Sequence, residues 1–268
     1  MFGNPNEMAI HLVVFVPIAL ALGIAARNLI ARAVYIVSAL IMIGGVIVTQ
    51  SRGGFLGLLA TSMILAWKLG RNRRLKVIIL LTISLIIFII AVPGNYGTRI
   101  LSIFEPSLDP VGSADHRRDV LIQSIWVTLR NPLGIGIGNF PIVGKGNLET
   151  HNAYTQVSSE LGWAAFATYL IFLIHPLRKL SLLERVLLGS KDQKWLYSIT
   201  VGTYASIVGY MVSSFFGPVA YNWHVYYIIA FAVCLRKIVL RNPPVTLTDS
   251  VTTKYAKPAR GHQRVVDA

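Results

Sequence analysis

Cys234 is the only cysteine, so the chain can form no internal disulfide and no cysteine cage around a structural metal. Those two facts exclude a secreted disulfide scaffold and the common zinc modules. Charge is scarce too. Charged residues fill 13% of the 268 positions, about half the share of a soluble domain, and acidic residues number 11 against 25 basic ones. The sequence has no glycine-rich loop ending in Lys-Ser/Thr, so ATP hydrolysis is not expected, and no His/Asp/Glu set at zinc spacing. The net charge of +14 comes without a helix-turn-helix, zinc-finger or RNA-binding signature, and nucleic acid is not an expected partner. What the chain has in excess is apolar surface. Hydrophobic residues make up 54% and the mean hydropathy is +0.61. That excludes intrinsic disorder and points to an integral membrane protein.

Seven segments approach the roughly 20 apolar residues that a bilayer crossing needs. They are residues 8–24, 33–49, 53–69, 75–92, 154–174, 196–216 and 219–235. Alternate connections between them are basic: Arg27 and Arg32, then Lys68 to Lys76, then Arg178 to Lys194, then Arg236, Lys237 and Arg241. The excess of Lys and Arg marks these connections as cytoplasmic. Glu7, Glu105, Asp109, Asp115, Asp119 and Glu149 fall on the other side. The expected protein is therefore an all-α polytopic membrane domain over 1–241, N-terminus outside and C-terminus inside, with a long outer loop at about 93–153. Residues 242–268 read as a basic, disordered cytoplasmic tail. Met1–Glu7 carries no signal-peptide pattern. A chain that begins outside the membrane without one is expected to be the C-terminal part of a longer protein.

Three polar clusters lie on the outer side. Gln50-Ser51-Arg52-Gly53-Gly54 joins two spans with almost no loop and pins Arg52 at the outer interface. A fixed guanidinium there can hold a phosphate, and a snorkelling arginine at a helix end would look the same. The second cluster, Ser113 to Asp119, leads into a helical pattern in which Leu121, Ile122, Ile125, Trp126 and Leu129 form an apolar face. That helix is expected to lie on the membrane or pack on the bundle, capped by Ser113 or Asp115. Arg117 and Arg118 sit in its first turn, where the helix dipole disfavours cations, which fits either an anionic partner or a surface ion pair. The third is His151-Asn152-Ala153-Tyr154-Thr155-Gln156, leading into Ser158, Ser159, Glu160, Leu161 and Gly162. If helical, His151, Tyr154, Thr155 and Ser158 share one face, and His151 can exchange a proton near neutral pH or serve structurally. The run Gly134-Ile135-Gly136-Ile137-Gly138 lacks the strand and helix of a dinucleotide site and reads as a tight loop after Pro132.

Taken in order, these elements resemble the O-antigen ligase/O-antigen polymerase family. Asn4-Pro5-Asn6 is similar to its N-P-N segment and Ser51-Arg52-Gly53 to its S-R-G element. Arg117 with Pro132-Leu133-Gly134-Ile135-Gly136 resembles its R…P-L-G-x-G stretch. His151-Asn152-Ala153-Tyr154 with Glu160-Leu161-Gly162 resembles its H-N-x-Y…E-L-G stretch. The similarity covers roughly residues 2–175. The resemblance implies a helical fold of the GT-C type in a bacterial-type cytoplasmic membrane. It also implies outer-face glycosyl transfer from an undecaprenyl-diphosphate-linked glycan to a glycan, lipid or protein acceptor, as in lipopolysaccharide and polysaccharide biosynthesis, without cofactor, metal or nucleotide sugar. Carried onto this sequence, Arg52 and Arg117 would face the departing diphosphate and His151 would be the base. Ser51, Arg118, Asn152, Tyr154 and Glu160 would bind or orient substrate. Members of the family have more spans than the seven expected here. Two other classes fit the composition: a transporter, and a non-catalytic membrane subunit or fragment.

Overall fold

A computed structural model describes residues 4–70, 113–144, 148–188 and 193–241. Among the described residues the secondary structure is helical throughout, with no strand. In chain order the helices are α1 (Pro5–Ala25), α2 (Leu29–Val48), α3 (Arg52–Leu69), α4 (Ser113–Arg130), α5 (Phe140–Val143), α6 (Ala153–Leu187), α7 (Lys194–Ser213) and α8 (Trp223–Arg241). A 3-10 turn, Ser214–Phe216, continues α7.

Local sequence sets where these helices begin. The Asn4 side chain accepts from the Asn6 N–H at 3.0 Å, with Pro5 in the first turn, so the N-P-N segment is a helix start. Asn28 caps α2 through the Ile30 N–H at 2.9 Å. Ser51 caps α3 through the Gly54 N–H at 3.1 Å, and Asn152 caps α6 through those of Tyr154 and Thr155 at 2.8 and 3.2 Å.

Helix α1 is the hub of the bundle, packed against α2, α3 and α7, while α7 also carries α3, α6 and α8. Close crossings use small residues, as in other membrane bundles. A methyl group on Gly57 would come 2.9 Å from Ser213 Cβ, and one on Gly202 would come 2.9 Å from the Pro17 carbonyl. At one end of the bundle Lys68 pairs with Glu184, lies 4.2 Å over the Tyr204 ring, and receives the Tyr197 hydroxyl on its carbonyl at 2.9 Å. That cluster ties α3 to α6 and α7.

Five of these helices are long and apolar enough to cross a membrane: Pro5–Ala25, Leu29–Val48, Ala153–Leu187, Lys194–Phe216 and Trp223–Arg241. They match five of the seven expected spans. Helix α3 covers the expected 53–69 span but is not one of the five, since Arg52 and Lys68 sit in its 18 residues. The expected span 75–92, the start of the outer loop and the tail 242–268 lie outside the described residues.

Helix α4 runs from Ser113, one of the two residues expected to cap it; the side chains of Ser113 and Asp115 lie outside the described set. The face it turns to the protein is not the apolar stripe. Val120, Ser124, Val127 and Thr128 are buried, whereas Ile122, Ile125, Trp126 and Leu129 are exposed. Ser124 and Thr128 can face inward because both hydroxyls are bonded. Ser124 donates to the Leu121 carbonyl, and Thr128 bonds the Ser124 carbonyl at 2.9 Å and the Ser158 hydroxyl at 3.0 Å.

Candidate functional site

Helix α6 is broken near its start. Gly162 has φ 81° and ψ −176°, a conformation open essentially to glycine alone. The break frees backbone groups of the preceding turn, and the loop after α4 takes them. The N–H groups of Ile135 and Gly136 donate to the carbonyls of Ser159 and Glu160 at 3.0 and 2.8 Å, and the Trp163 N–H donates to the Pro132 carbonyl at 3.0 Å. The loop is a tight turn closed by the Gly134 N–H on the Asn131 carbonyl at 2.9 Å. The P-L-G-I-G and E-L-G stretches therefore form one structure, in which the loop replaces a missing helical turn.

Glu160 is 4% exposed. Its carboxylate accepts the Tyr221 hydroxyl at 2.9 Å. Burial raises the Tyr221 phenol well above its ordinary range, and the bond to Glu160 raises it further. The turn 217–222 makes two more such contacts. The Ala220 N–H donates to Gln156 Oε1 at 3.2 Å, and Asn222 hydrogen-bonds the Glu7 carboxylate. Gln156 belongs to the third polar cluster of the sequence, whereas Tyr221 did not stand out there. The polar and aromatic run Tyr221-Asn222-Trp223-His224 after a Gly-Pro pair is the signal that could have drawn attention to it.

The 3-10 turn Ser214–Phe216 is the junction of the remaining pieces. Gly53 abuts Phe216 so closely that a Cβ would overlap its side chain, and the Tyr154 ring lies 4.4 Å from that of Phe215. The Tyr154 hydroxyl donates to the Met211 carbonyl at 2.8 Å. The S-R-G-G and H-N-A-Y segments thus meet at one end of the bundle, joined there by the N-terminus of α1, whose Ile10 packs by Gly217.

Of the expected site residues, Arg52 and His151 are half-buried at this end. Among the described residues only Gln50 and His151 combine a side chain with a left-handed backbone, at φ 51° and 50°. Each immediately precedes a helix cap, Ser51 and Asn152 in turn. Backbone strain of this kind concentrates at functional sites. Arg117 is half-buried, one turn before Val120, on the inward face of α4; Arg118 is exposed on the same side as Ile122 and Ile125. Val120 packs with Phe140 against Leu148, three residues before His151, which turns the first half of α4 toward the start of α6. The polar atoms of Ser51, Asn152 and Tyr154 are engaged in caps and in the bond to Met211. Among the described residues no three His, Cys, Asp or Glu side chains come together in a group that could hold a metal ion.

Several membrane-length helices and a cluster of basic, histidine and capping residues at one end define a multi-pass membrane protein with a polar site at a bundle end. The O-antigen ligase family model matches residues 37–170, half of the chain. The chain belongs to the O-antigen ligase family, whose members act on membrane-bound glycan-lipid substrates. No curated protein and no solved structure matches it.

Proposed function

We propose that this end of the bundle transfers glycan from a polyprenyl diphosphate to a hydroxyl acceptor, on the outer face of the cytoplasmic membrane, within a GT-C-like fold. The observation that carries the reading is the convergence on one 3-10 turn. Arg52 and His151 come from segments 99 positions apart in the chain, and both segments pack against Ser214–Phe216.

His151 accepts the proton of the acceptor hydroxyl as that oxygen attacks the anomeric carbon. The bond from that carbon to the diphosphate oxygen breaks, and the diphosphate leaves as an anion. Arg52 and Arg117 stabilise that charge from fixed positions, so the reaction does not require a metal for it. Attack opposite the leaving group inverts the anomeric centre. Asn152 and Tyr154, engaged in the fold, position His151, and Glu160 holds the first turns of α6 through Tyr221. Arg118, on the outward face of α4, is suited to a peripheral contact with the glycan or lipid.

A transport path would leave the backbone of a broken helix lining a cavity. Here the freed carbonyls of α6 are bonded to the 132–136 loop, which weighs against that reading.

The test compares membrane glycans from cells carrying the intact gene or His151→Ala at matched expression. Collapse of long chains to single lipid-linked repeats identifies a polymerase. Long chains retained on the lipid carrier identify a ligase. An unchanged profile removes His151 from the mechanism.

A further inference from the structure

At the opposite end of the bundle, near Lys68 and Glu184, the structure contains an open cavity of about 1010 Å³. It lies between the α1–α2 turn, the end of α6 and the start of α7. Helix α3 runs from the His151 end to this one, a distance of about 26 Å for 18 residues. The cavity therefore does not belong to the site described above.

Its chemistry is one-sided. Arg27, Arg32 and Lys194 line it, and among the described residues its lining includes no carboxylate. Arg32 is held in place, its Nη2 donating to the Ala26 carbonyl at 2.9 Å. Arg27 and Lys194 are exposed and able to reach a bound anion. Tyr35 and Trp195 stand beside them, and the exposed side chains of Ile24 and Leu188 supply an apolar wall. Tyrosine and tryptophan favour the depth at which lipid headgroups meet acyl chains. Three cations above an apolar wall match a molecule with an anionic head and a hydrocarbon tail, and basic pockets between membrane helices bind such headgroups.

We infer that this cavity binds an anionic glycerophospholipid, its phosphate on Arg27, Arg32 and Lys194 and its acyl chains along Ile24 and Leu188. A soluble phosphate ester shares the headgroup chemistry but would make no use of the apolar wall.

The test uses the full chain in phosphatidylcholine-containing micelles. Phosphatidylglycerol with brominated acyl chains is titrated in, and the quenching assigned to Trp195 is the signal lost in Trp195→Phe. Brominated phosphatidylglycerol is expected to quench at a concentration at least tenfold below brominated phosphatidylcholine. Arg27→Gln with Lys194→Gln is expected to weaken that binding by roughly fivefold per charge removed. An Arg27→Lys variant, which keeps the charge, should retain the preference and serves as the folding control. Equal quenching by the two lipids, or an unchanged preference in the double glutamine variant, overturns the assignment. Displacement of the lipid by millimolar glycerol phosphate overturns the lipid as ligand, making this a soluble phosphate site.

Discussion

Gly134 and Gly162 face one another across two segments of chain, each in a left-handed backbone conformation, φ 82° and 81°. A Cβ on Gly134 would stand 2.7 Å from the Gly162 nitrogen, and one on Gly162 would stand 2.9 Å from the Gly134 nitrogen. Neither position has room for a methyl group without separating the two segments, and both backbones disfavour any other residue.

Gly134→Ala and Gly162→Ala are each expected to destabilise the protein by about 2 kcal/mol or more, read as a lower Tm in detergent. Because both disrupt one interface, the double variant should cost clearly less than the sum of the singles. Strict additivity would mean that the segments are not coupled.

His151→Gly separates strain from chemistry. Glycine relaxes the left-handed backbone, so the variant should melt at the same temperature as the parent or slightly above it, a gain of up to about 1 kcal/mol. Glycan transfer should nevertheless be lost. Asn152→Ala should behave in the opposite way, losing about 1 kcal/mol of stability with its cap and retaining some transfer. Transfer that survives in His151→Gly would show that the histidine is not the base.

The starts of α3 and α6 fall within one residue of the expected spans at 53 and 154, but Ser51 and Asn152, which the sequence offered as substrate contacts, are bonded as helix caps, each acting within three residues of itself. The two halves of the Gly134–Gly162 contact were each visible as a motif, but nothing in either indicates its partner 28 positions away. Tyr221 was missed for a different reason. The expected span 219–235 placed it inside a membrane helix, whereas that helix begins at Trp223, and the packing of α8 on α6 and α7 brings the 217–222 turn to Glu160. On α4 the pattern identified the apolar stripe but not what it faces. The inward face is occupied by Ser124 and Thr128, whose hydroxyls find bonds that sequence periodicity does not register.

Tyr221→Phe removes the bond to Glu160. Transfer is expected to fall severalfold without being abolished, since the hydroxyl acts through α6 and not on substrate. The raised phenol also has a consequence in alkali. Its neutral form is favoured in the folded protein, so its contribution to stability is complete below the ordinary phenol pKa of about 10 and is lost as pH rises beyond it. Melting curves between pH 9 and about 11 should fall less steeply in Tyr221→Phe than in the parent. Parallel curves would remove Tyr221 as a source of the alkaline loss.

The Lys68–Glu184 pair is expected to behave as a unit. Each side chain is only about one-sixth exposed, 15% and 16%. Lys68→Met leaves a carboxylate without its cation and should cost about 3 kcal/mol. Lys68→Met combined with Glu184→Gln should recover part of that loss in a thermal melt. A double variant less stable than the single would show that Glu184 stabilises the fold without Lys68, so that the two do not act as a unit.

The break in α6 also bears on the order of synthesis. Pro132–Gly136 is made before Gly162, so the segment that completes the helix already exists when the helix leaves the ribosome. A deletion that shortens the 132–136 loop would therefore be felt during biogenesis, as early proteolysis of the new chain, before any catalytic defect in mature protein could be measured.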